Sequence, residues 1–342
     1  MLNTPTRKFW FVICGLFILF STGFYLHITN GMFDMSVWQV LKTLVGLEEN
    51  ESFKLVIFEF RLPRLVIAIL VGIGLGLAGV VLQGVTKNSL ADPGILGINA
   101  GAGASVVIFM YFFQFQATLI DGSSWMKILM MPLFGFVGGT LAAAFIFIFS
   151  LKNGRMDMQR LILTGIAINS GFGALTMFIS LKMNEKDYES AAIWQAGSIF
   201  NANWTFVVAM LPWIILFSIY IIKKSSLLDY FQLEEETIMS LGIRLEKEKI
   251  MLLLSSVGLV SACVSVSGSI GFIGLMAPHI ARQLVGIHHR YIIPVSAFVG
   301  ATLLVISDYV AKTVFAPSEL AVGIVVSIIG IPYFLFLLIK AK

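Results

Sequence analysis

The stretch GSIGFIGLMAPHIARQLVGIHHR, residues 268–290, interrupts a sequence that is otherwise rich in long apolar runs. Three glycines precede Pro278, and three histidines and two arginines follow it. A helix from about Ile273 to Gly286 would be about 21 Å long at a rise of about 1.5 Å per residue. The hydrocarbon core of a bilayer is about 30 Å thick, so such a helix cannot cross it alone. The stretch therefore predicts a partial span, and its histidines raise the alternative of a metal or catalytic site.

The rest of the sequence is typical of a polytopic membrane protein. Of its 342 residues, 58% are hydrophobic and 12% are charged, whereas a soluble domain has about 25% charged residues. Every backbone group inside a bilayer needs an internal partner, so the apolar runs are predicted to be helices and the fold class to be all-α. We expect about ten transmembrane helices, of which the eighth is the partial span. Their predicted bounds are 9–29, 62–85, 93–115, 125–150, 159–181, 204–222, 248–267, 271–286, 291–314 and 320–340.

An even number of spans places both termini on the same side of the membrane. With the termini in the cytoplasm, roughly fifteen Lys and Arg residues fall in cytoplasmic segments and about eight in external ones, in agreement with the positive-inside rule. The sequence therefore predicts a multi-pass protein of the cell membrane with both termini cytoplasmic. Two segments are predicted to be external loops, namely 30–61, with a short helix near 36–45, and 182–203.

A second broken segment, TKNSLADPGILGINAGAG at 86–103, follows the second span. Asp92 stands before Pro93, and Gly94 and Gly97 loosen the backbone, so a helix is expected to end or begin there. Non-helical backbone at membrane depth is tolerated where it is buried in protein or lines a water-filled cavity. Broken helices at corresponding places in two halves of a chain indicate a transport pathway.

Ionisable residues are nearly absent from the second to sixth spans. An ion-coupled carrier usually places such groups near the membrane midplane, because its coupling ion needs a ligand there. The deep candidate is Asp308, which could pair with Lys312 one turn later. A structural pair is favoured there over a proton relay.

Motifs for nucleotide binding and catalysis are also missing. The sequence has no G-x-x-x-x-G-K-[ST] phosphate loop and no zinc-binding or hydrolase motif. We therefore predict a transport subunit driven by another protein, with no catalytic residue, metal ligand or cofactor in this chain. An ion-coupled secondary carrier and a membrane-embedded enzyme are the alternatives.

The segment LEEETIMSLGIRLEKEK, residues 233–249, is the clearly aqueous element on the cytoplasmic side. Glu234–Glu236 are expected to open a short helix, because acidic residues complement the positive end of the helix dipole. Gly242 closes this helix as a C-terminal cap, and Ile238 and Leu241 share one face. A helix of two turns is not stable alone in water, so it must dock on something. A groove in a partner protein is favoured over the membrane surface, since three clustered glutamates would face anionic lipid.

Five stretches, in this order and spacing, resemble the permease subunits of ABC importers for iron–siderophore complexes and cobalamin. They are FRLPRLVIAILVG at 60–72, NSLADPGILGINAGAG at 88–103, LEEETIMSLGI at 233–243, GSIGFIGLMAPHIARQLVGIHHR at 268–290 and LAVGIVVSIIGIPYFLFLL at 320–338. The resemblance covers nearly the whole chain and implies one permease domain, 1–342, with a cytoplasmic coupling segment near 230–246. It also implies a second permease subunit, identical or different, two cytoplasmic ATPase subunits that carry ATP and Mg²⁺, and an extracytoplasmic siderophore-binding protein. Membrane lipid surrounds such a complex, and nucleic acid has no part in it.

The resemblance implies roles for individual residues, position by position. The residues that match binding-protein docking are Arg61, Arg64 and Lys312; the lysine replaces a family arginine and loses its bidentate geometry. Interfacial anchoring is the alternative for the two arginines. The residues that match a cytoplasmic gate are Asn88, Leu90, Met158 and Gln159. The residues that match ATPase coupling are Glu234, Glu235, Glu236, Ile238, Leu241, Gly242 and Arg244.

The stretch 268–290 departs from the family pattern at one place. The usual Asp-His-Arg is His288–His289–Arg290 here, so an acid that could cap the following helix is lost. The resemblance assigns the histidines of 268–290 to scaffold and interface rather than to a metal site. It implies an Fe(III)–siderophore complex as the ligand, with a hydroxamate such as ferrichrome as the first choice and cobalamin or haem as alternatives.

Overall fold

The computed structural model describes residues 5–31, 35–48, 50–112, 124–152, 155–316 and 318–340. Most of them are helical. The helices in chain order are α1 (Pro5–Thr29), α2 (Val37–Leu44), α3 (Glu51–Leu55), α4 (Leu62–Thr86), α5 (Ile98–Phe112), α6 (Ser124–Ser150), α7 (Met158–Ser180), α8 (Glu185–Gln195), α9 (Trp204–Lys223), α10 (Ser225–Tyr230), α11 (Glu235–Ser240), α12 (Leu245–Ser267), α13 (Ile273–Val285), α14 (His289–Thr313) and α15 (Val322–Lys340). The remaining elements are a π-helical segment (Val56–Arg61), a 3₁₀ turn (Pro93–Leu96) and an antiparallel hairpin of β1 (Leu151–Lys152) and β2 (Arg155–Met156).

The predicted all-α membrane fold is confirmed. Within the described residues, eight helical stretches are long and apolar enough to cross a membrane, and they contain α1, α4, α6, α7, α9, α12, α14 and α15. Two shorter helices correspond to the other predicted spans: α5 has 15 described residues, and α13 has 13. The ten predicted spans therefore correspond to eight long helices and two short ones, with α13 as the partial span.

The second span begins earlier than the sequence predicted. A continuous helical stretch of 36 residues runs from Glu51 through the π-helical segment to Thr86. Asn50 caps its start by accepting a hydrogen bond from the Ser52 N–H. The last part of the predicted external loop 30–61 is therefore helical, and charged residues in its first turns hid this from the hydropathy pattern.

Both predicted external loops contain a short helix. The helix expected near 36–45 is confirmed as α2, whose N-cap Ser36 forms a capping box with Gln39. Helix α8 was not predicted; it begins after Asn184, whose side chain accepts a hydrogen bond from the Asp187 N–H. The apolar residues of α8 do not follow one face, so hydrophobic periodicity gives little sign of it.

Three helices form the centre of the bundle. In the apolar windows of α4 and α12, 83% of the residues are buried, and in α14 67%, against 6% in α1 and 17% in α7. Glycine lets the central helices touch backbone to backbone. A Cβ atom on Gly72 would collide with the carbonyl of Gly300, and one on Gly79 with the carbonyl of Gly274. Helices α1 and α7, which are weakly buried, lie at the periphery of the bundle.

The two broken segments pack against each other. The Asp92 carboxylate caps the 3₁₀ turn by accepting the Gly94 N–H at 2.6 Å, and it also accepts from the backbone of Phe272 and Leu275. Phe272 precedes α13 with a φ of 65°, a left-handed conformation that is uncommon for a residue with a side chain. The residues that interrupted the helical pattern thus form one junction inside the protein.

Candidate functional site

The three residues matched to binding-protein docking come together at one end of the bundle. Arg61 ends the π-helical segment, Arg64 lies in the first turn of α4, and Lys312 lies in the last turn of α14. All three line one cavity of about 1000 Å³, together with Glu59 and Glu319. The structure thus brings into one place residues that are far apart in the sequence.

The side chains in this cavity form a network around Asp308. Arg64 Nε donates to Asp308 Oδ2 at 2.7 Å and Arg64 Nη2 donates to Oδ1 at 2.8 Å, a bidentate pair. Arg64 Nη1 donates to Glu319 at 2.7 Å, and His27 Nε2 donates to Asp308 at 2.7 Å. The expected pair of Asp308 with Lys312 is wrong, because Asp308 turns across the bundle to α1 and α4. We call His27, Arg61, Arg64, Asp308, Lys312 and Glu319 the charged cluster.

The other two cations of the charged cluster hold the end of α1. Arg61 Nη1 donates to the carbonyls of Ile28 and Thr29, and Lys312 Nζ donates to the carbonyl of His27. The last carbonyl groups of a helix lack partners within it and carry the negative end of its dipole, so cations stabilise them. Arg61 is 7% exposed and Lys312 is 8% exposed. The charged cluster therefore has a structural role in this chain, whatever it contacts outside.

The predicted gate residues lie at the opposite end of α4 and at the start of α7. Asn88 is exposed and its side chain accepts a hydrogen bond from the Leu90 N–H at 2.9 Å, while Leu90 is half-buried. Met158 and Gln159 form the first turn of α7, which the side chain of Asp157 caps. Gln159 is exposed, whereas Met158 lines a small cavity. Nothing in the sequence indicated which other residues would lie beside these four.

The small cavity joins Met158 to the short helix α11. It has a volume of about 120 Å³, and its lining includes Thr86, Met158, Glu235 and Ile238. Helix α11 follows the predicted position closely, with Glu234 at its N-cap and Gly242 just beyond it at a φ of 77°. The predicted gate and the predicted coupling helix are therefore neighbours.

The two apolar residues expected on one face of the coupling helix have different surroundings. Ile238 is fully buried within its own chain, whereas Leu241 is 58% exposed and Met239 is 50% exposed. Ile238 therefore anchors α11, and a partner can reach Leu241 and Met239. Arg244, at the N-cap of α12, is also exposed.

The acid missing from the sequence before α14 is supplied by another helix. His288 occupies the N-cap position and makes no side-chain cap. Asp229 of α10 instead accepts from the His289 N–H at 2.8 Å and from His289 Nδ1 at 2.7 Å. Among the described residues, no three His, Cys, Asp or Glu side chains are grouped so that they could hold a metal ion.

A model of the FecCD transport family matches residues 17–340. The chain belongs to the FecCD transport family. It is a membrane-spanning transport permease.

Several relatives of this FecCD permease are similar over nearly their whole length. The iron-uptake system permease protein FeuC of Bacillus subtilis (strain 168) is 49% identical over 93% of this chain and 94% of its own. The iron(3+)-hydroxamate import system permease protein FhuG of the same organism is 42% identical over the full length of both chains. A solved inward-facing structure of a metal-chelate type ABC transporter superposes with a TM-score of 0.82 and 29% identity, covering 96% of this chain and 99% of its own.

One further cavity of the FecCD permease was not predicted from the sequence. It has a volume of about 620 Å³ and lies between α5, α7 and α8. Polar side chains line it, among them Asn99, Asn169, Thr176 and Gln195, and none of its described lining residues is charged. Asn169 is exposed on α7, a span that its own chain covers poorly. Isolated amides and hydroxyls within apolar sequence gave no motif that could have identified this cavity.

Proposed function

We propose that this chain is the transmembrane permease subunit of an ABC importer that brings an Fe(III)–siderophore complex into the cytoplasm. The observation that carries the proposal is α11, a preformed short helix that presents Met239 and Leu241 outward in a chain without a phosphate loop of its own. An exposed apolar pair on a short helix suits a groove in a partner protein. The relatives named for iron uptake and for iron(3+)-hydroxamate import support the ligand class.

The proposed complex contains two permease subunits, two ATPase subunits and a siderophore-binding protein. ATP and Mg²⁺ are bound by the ATPase subunits. A second permease copy or a sister chain would cover α7, whose exposed face carries Asn169 and Ser170, since polar groups in a span usually face protein or water. The chain acts as one permease domain, with both termini and α11 in the cytoplasm and the charged cluster outside.

A hydroxamate complex such as ferrichrome is the proposed ligand within this class. A ferric trishydroxamate has no net charge, and the polar cavity between α5, α7 and α8 has no charged residue among its described lining. Its amides and hydroxyls can exchange hydrogen bonds with a neutral chelate. Burying an anionic chelate beside them would leave its charge unpaired, which is costly.

Reconstitution tests the transport function. The permease with its co-purifying ATPase and binding protein is placed in liposomes, and radio-iron ferrichrome uptake is measured. We expect uptake to require ATP hydrolysis and to persist in the presence of ionophores. Uptake that collapses with an ionophore and continues without ATP would instead establish an ion-coupled carrier.

Charge reversal tests the proposed docking role of Arg61, Arg64 and Lys312. In an Arg61→Glu variant we expect the dissociation constant for the binding protein to rise at least about tenfold, because losing a partner of a buried charge pair costs about 2–5 kcal/mol. Lys54→Glu, a partly buried position on α3 whose side chain pairs with Glu51, is the matched control. An unchanged dissociation constant and unchanged uptake in Arg61→Glu and Arg64→Glu variants that remain folded would exclude the docking role.

A further inference from the structure

Side chains of α12 and of the end of α4 form hydrogen bonds that connect α11 and the residues just before it to the predicted gate segments. We infer that Lys249 and Glu246 are positioning residues that connect α11 mechanically to the start of α7, so that a displacement of α11 by an ATPase moves Met158 and Gln159. This inference rests on the proposed function. We call the connected residues Glu235, Lys249, Glu246 and Met156 the Lys249 link.

The link consists of three hydrogen bonds in series. Lys249 Nζ donates to Glu235 Oε1 of α11 at 2.6 Å and to Glu246 Oε1 at 3.3 Å. The second oxygen of the same carboxylate, Glu246 Oε2, accepts from the Met156 N–H at 2.8 Å. One carboxylate therefore contacts both the lysine that holds α11 and the backbone that leads into α7. Because Glu246 spans both contacts, neither can move without straining the other.

Burial makes this connection stiffer than an ordinary surface pair. The Lys249 side chain is 7% exposed and lies between two carboxylates, of which Glu246 is 29% exposed and Glu235 is 53% exposed. A buried charge cannot exchange its partners for water, so separating them is costly. Exposed ion pairs between long side chains contribute little by comparison.

The receiving end of the link is well placed to move the gate. Met156 ends β2, is 6% exposed, and stands two residues before Met158. Asp157 between them accepts the N–H groups of Gln159 and Arg160, which fixes the first turn of α7 to the hairpin. A shift of the Met156 backbone would therefore be passed to the first turn of α7.

A second lysine makes the corresponding connection to the other gate segment. Lys87 ends α4 in a left-handed conformation with a φ of 53° and directly precedes Asn88. Its Nζ donates to the carbonyl of Leu233, two residues before α11 begins, at 2.7 Å. Both gate segments are thus tied to the two ends of the same short stretch, 233–235. Lys87, Lys249 and Met158 also line the 120 Å³ cavity that leaves α11 room to shift.

A nearby ion pair provides a matched control. Lys224 Nζ donates to Glu248 at 2.8 Å, and this pair joins the end of α9 to α12. The hydrogen bond that Lys224 donates to Glu248 raises the pKa of the lysine, so the lysine is charged at neutral pH. It lies on the same turn of α12 as the Lys249 link but reaches neither gate segment.

The experiment measures transport and ATP hydrolysis in the same liposomes, with the complete importer and radio-iron ferrichrome as the probe. In Lys249→Met and Glu246→Gln variants we expect ATP hydrolysis to stay within about twofold of wild type while the chelate imported per ATP falls about tenfold, within the range typical of site-to-site coupling. Lys249→Arg, which keeps the charge, should restore most of the ratio. Lys224→Met should leave the ratio unchanged.

The outcomes separate this inference from its alternatives. If hydrolysis and import fall in proportion in the folded variants, Lys249 is an ordinary brace for ATPase docking and the inference is wrong. An unchanged ratio in Lys249→Met and Glu246→Gln overturns it as well, while wild-type transport leaves the proposed function intact. A wild-type complex that does not import the chelate overturns the proposed function together with the link.

Discussion

At the residue scale, the charged cluster shows how a membrane protein buries charge. Asp308 is fully buried, and its carboxylate accepts hydrogen bonds from Arg64 and His27. Arg64 in turn reaches Glu319. Such a cluster is stable because each charge has a partner, and removing one member leaves the others desolvated and unpaired.

An Asp308→Ala substitution tests the structural role of the charged cluster. We expect it to lower the free energy of unfolding by about 3–5 kcal/mol, because Arg64 and His27 lose their buried acceptor. Denaturant titration of the detergent-solubilised permease measures the change. Glu51→Ala, which removes the exposed partner of Lys54, should cost no more than about 1 kcal/mol. Equal losses of unfolding free energy in the two variants would show that Asp308 does not stabilise the charged cluster.

At the element scale, the start of α14 depends on a cap from a distant helix. The sequence lacks an acid at the N-cap, where His288 stands, and Asp229 of α10 takes over that role from the side. The cap therefore also fixes α10 to α14. Residues around His288 alone could not reveal this, because Asp229 lies 60 positions from the N–H group that it accepts.

Substitutions at Asp229 test this cap. Asp229→Ala should lower the free energy of unfolding by about 0.5–2 kcal/mol, as expected for the loss of a helix N-cap. Asp229→Asn keeps a side-chain oxygen that can accept the His289 N–H, so most of the stability should remain. Thermal unfolding of both variants provides the measurement, and an Asp229→Asn loss as large as the alanine loss would exclude capping as the cause.

The contact between α4 and α13 makes a separate prediction about packing. A Cβ atom on Gly79 would meet the Gly274 backbone, whereas one on Gly15 in α1 would meet nothing within 4 Å. Gly79→Ala should therefore cost about 1–3 kcal/mol through overpacking. Gly15→Ala should be neutral or slightly stabilising, since alanine favours the helix. Matching unfolding midpoints for the two variants would contradict the close approach of α4 and α13.

Short elements were predicted less well than long ones. Helices α11 and α13 were predicted near their observed bounds, because caps and glycines mark them locally. Helix α8 and the helical extension before Leu62 were missed, because neither has a continuous apolar face. For the candidate site, the position of α11 could be predicted from the sequence. That Ile238 is buried within its own chain could not.

At the scale of the whole molecule, the fold separates two polar ends by an apolar bundle. The charged cluster lies at one end, and α11 with the Lys249 link lies at the other. The polar cavity between α5, α7 and α8 has no charged residue among its described lining, to which Gly94, Asn99 and Ser269 of the broken segments contribute. This arrangement suits a permease whose ligand and energy source approach from opposite sides of the membrane.

The proposed orientation predicts which positions reagents can reach. In a Cys14→Ser background, Ser52→Cys on α3 should react with a membrane-impermeant maleimide on intact cells. Ser240→Cys at the end of α11 should react after the membrane is permeabilised, because the positive-inside rule places that end in the cytoplasm. Both positions are exposed, so accessibility within the protein does not limit labelling. The reverse labelling pattern would invert the proposed orientation.

The sequence by itself determined the all-α membrane fold, the approximate positions of the spans, the short length of α13 and the position of α11. These features depend on hydropathy, glycine, proline and capping residues within a few turns of the chain, so local physics decides them. Tertiary structure decided which groups meet: Asp308 with Arg64 across 244 positions, Asp229 with His289, and Lys249 with two carboxylates. Hydrogen bonds require contact within about 3 Å, and residues far apart in the sequence reach that distance only when the helices have packed.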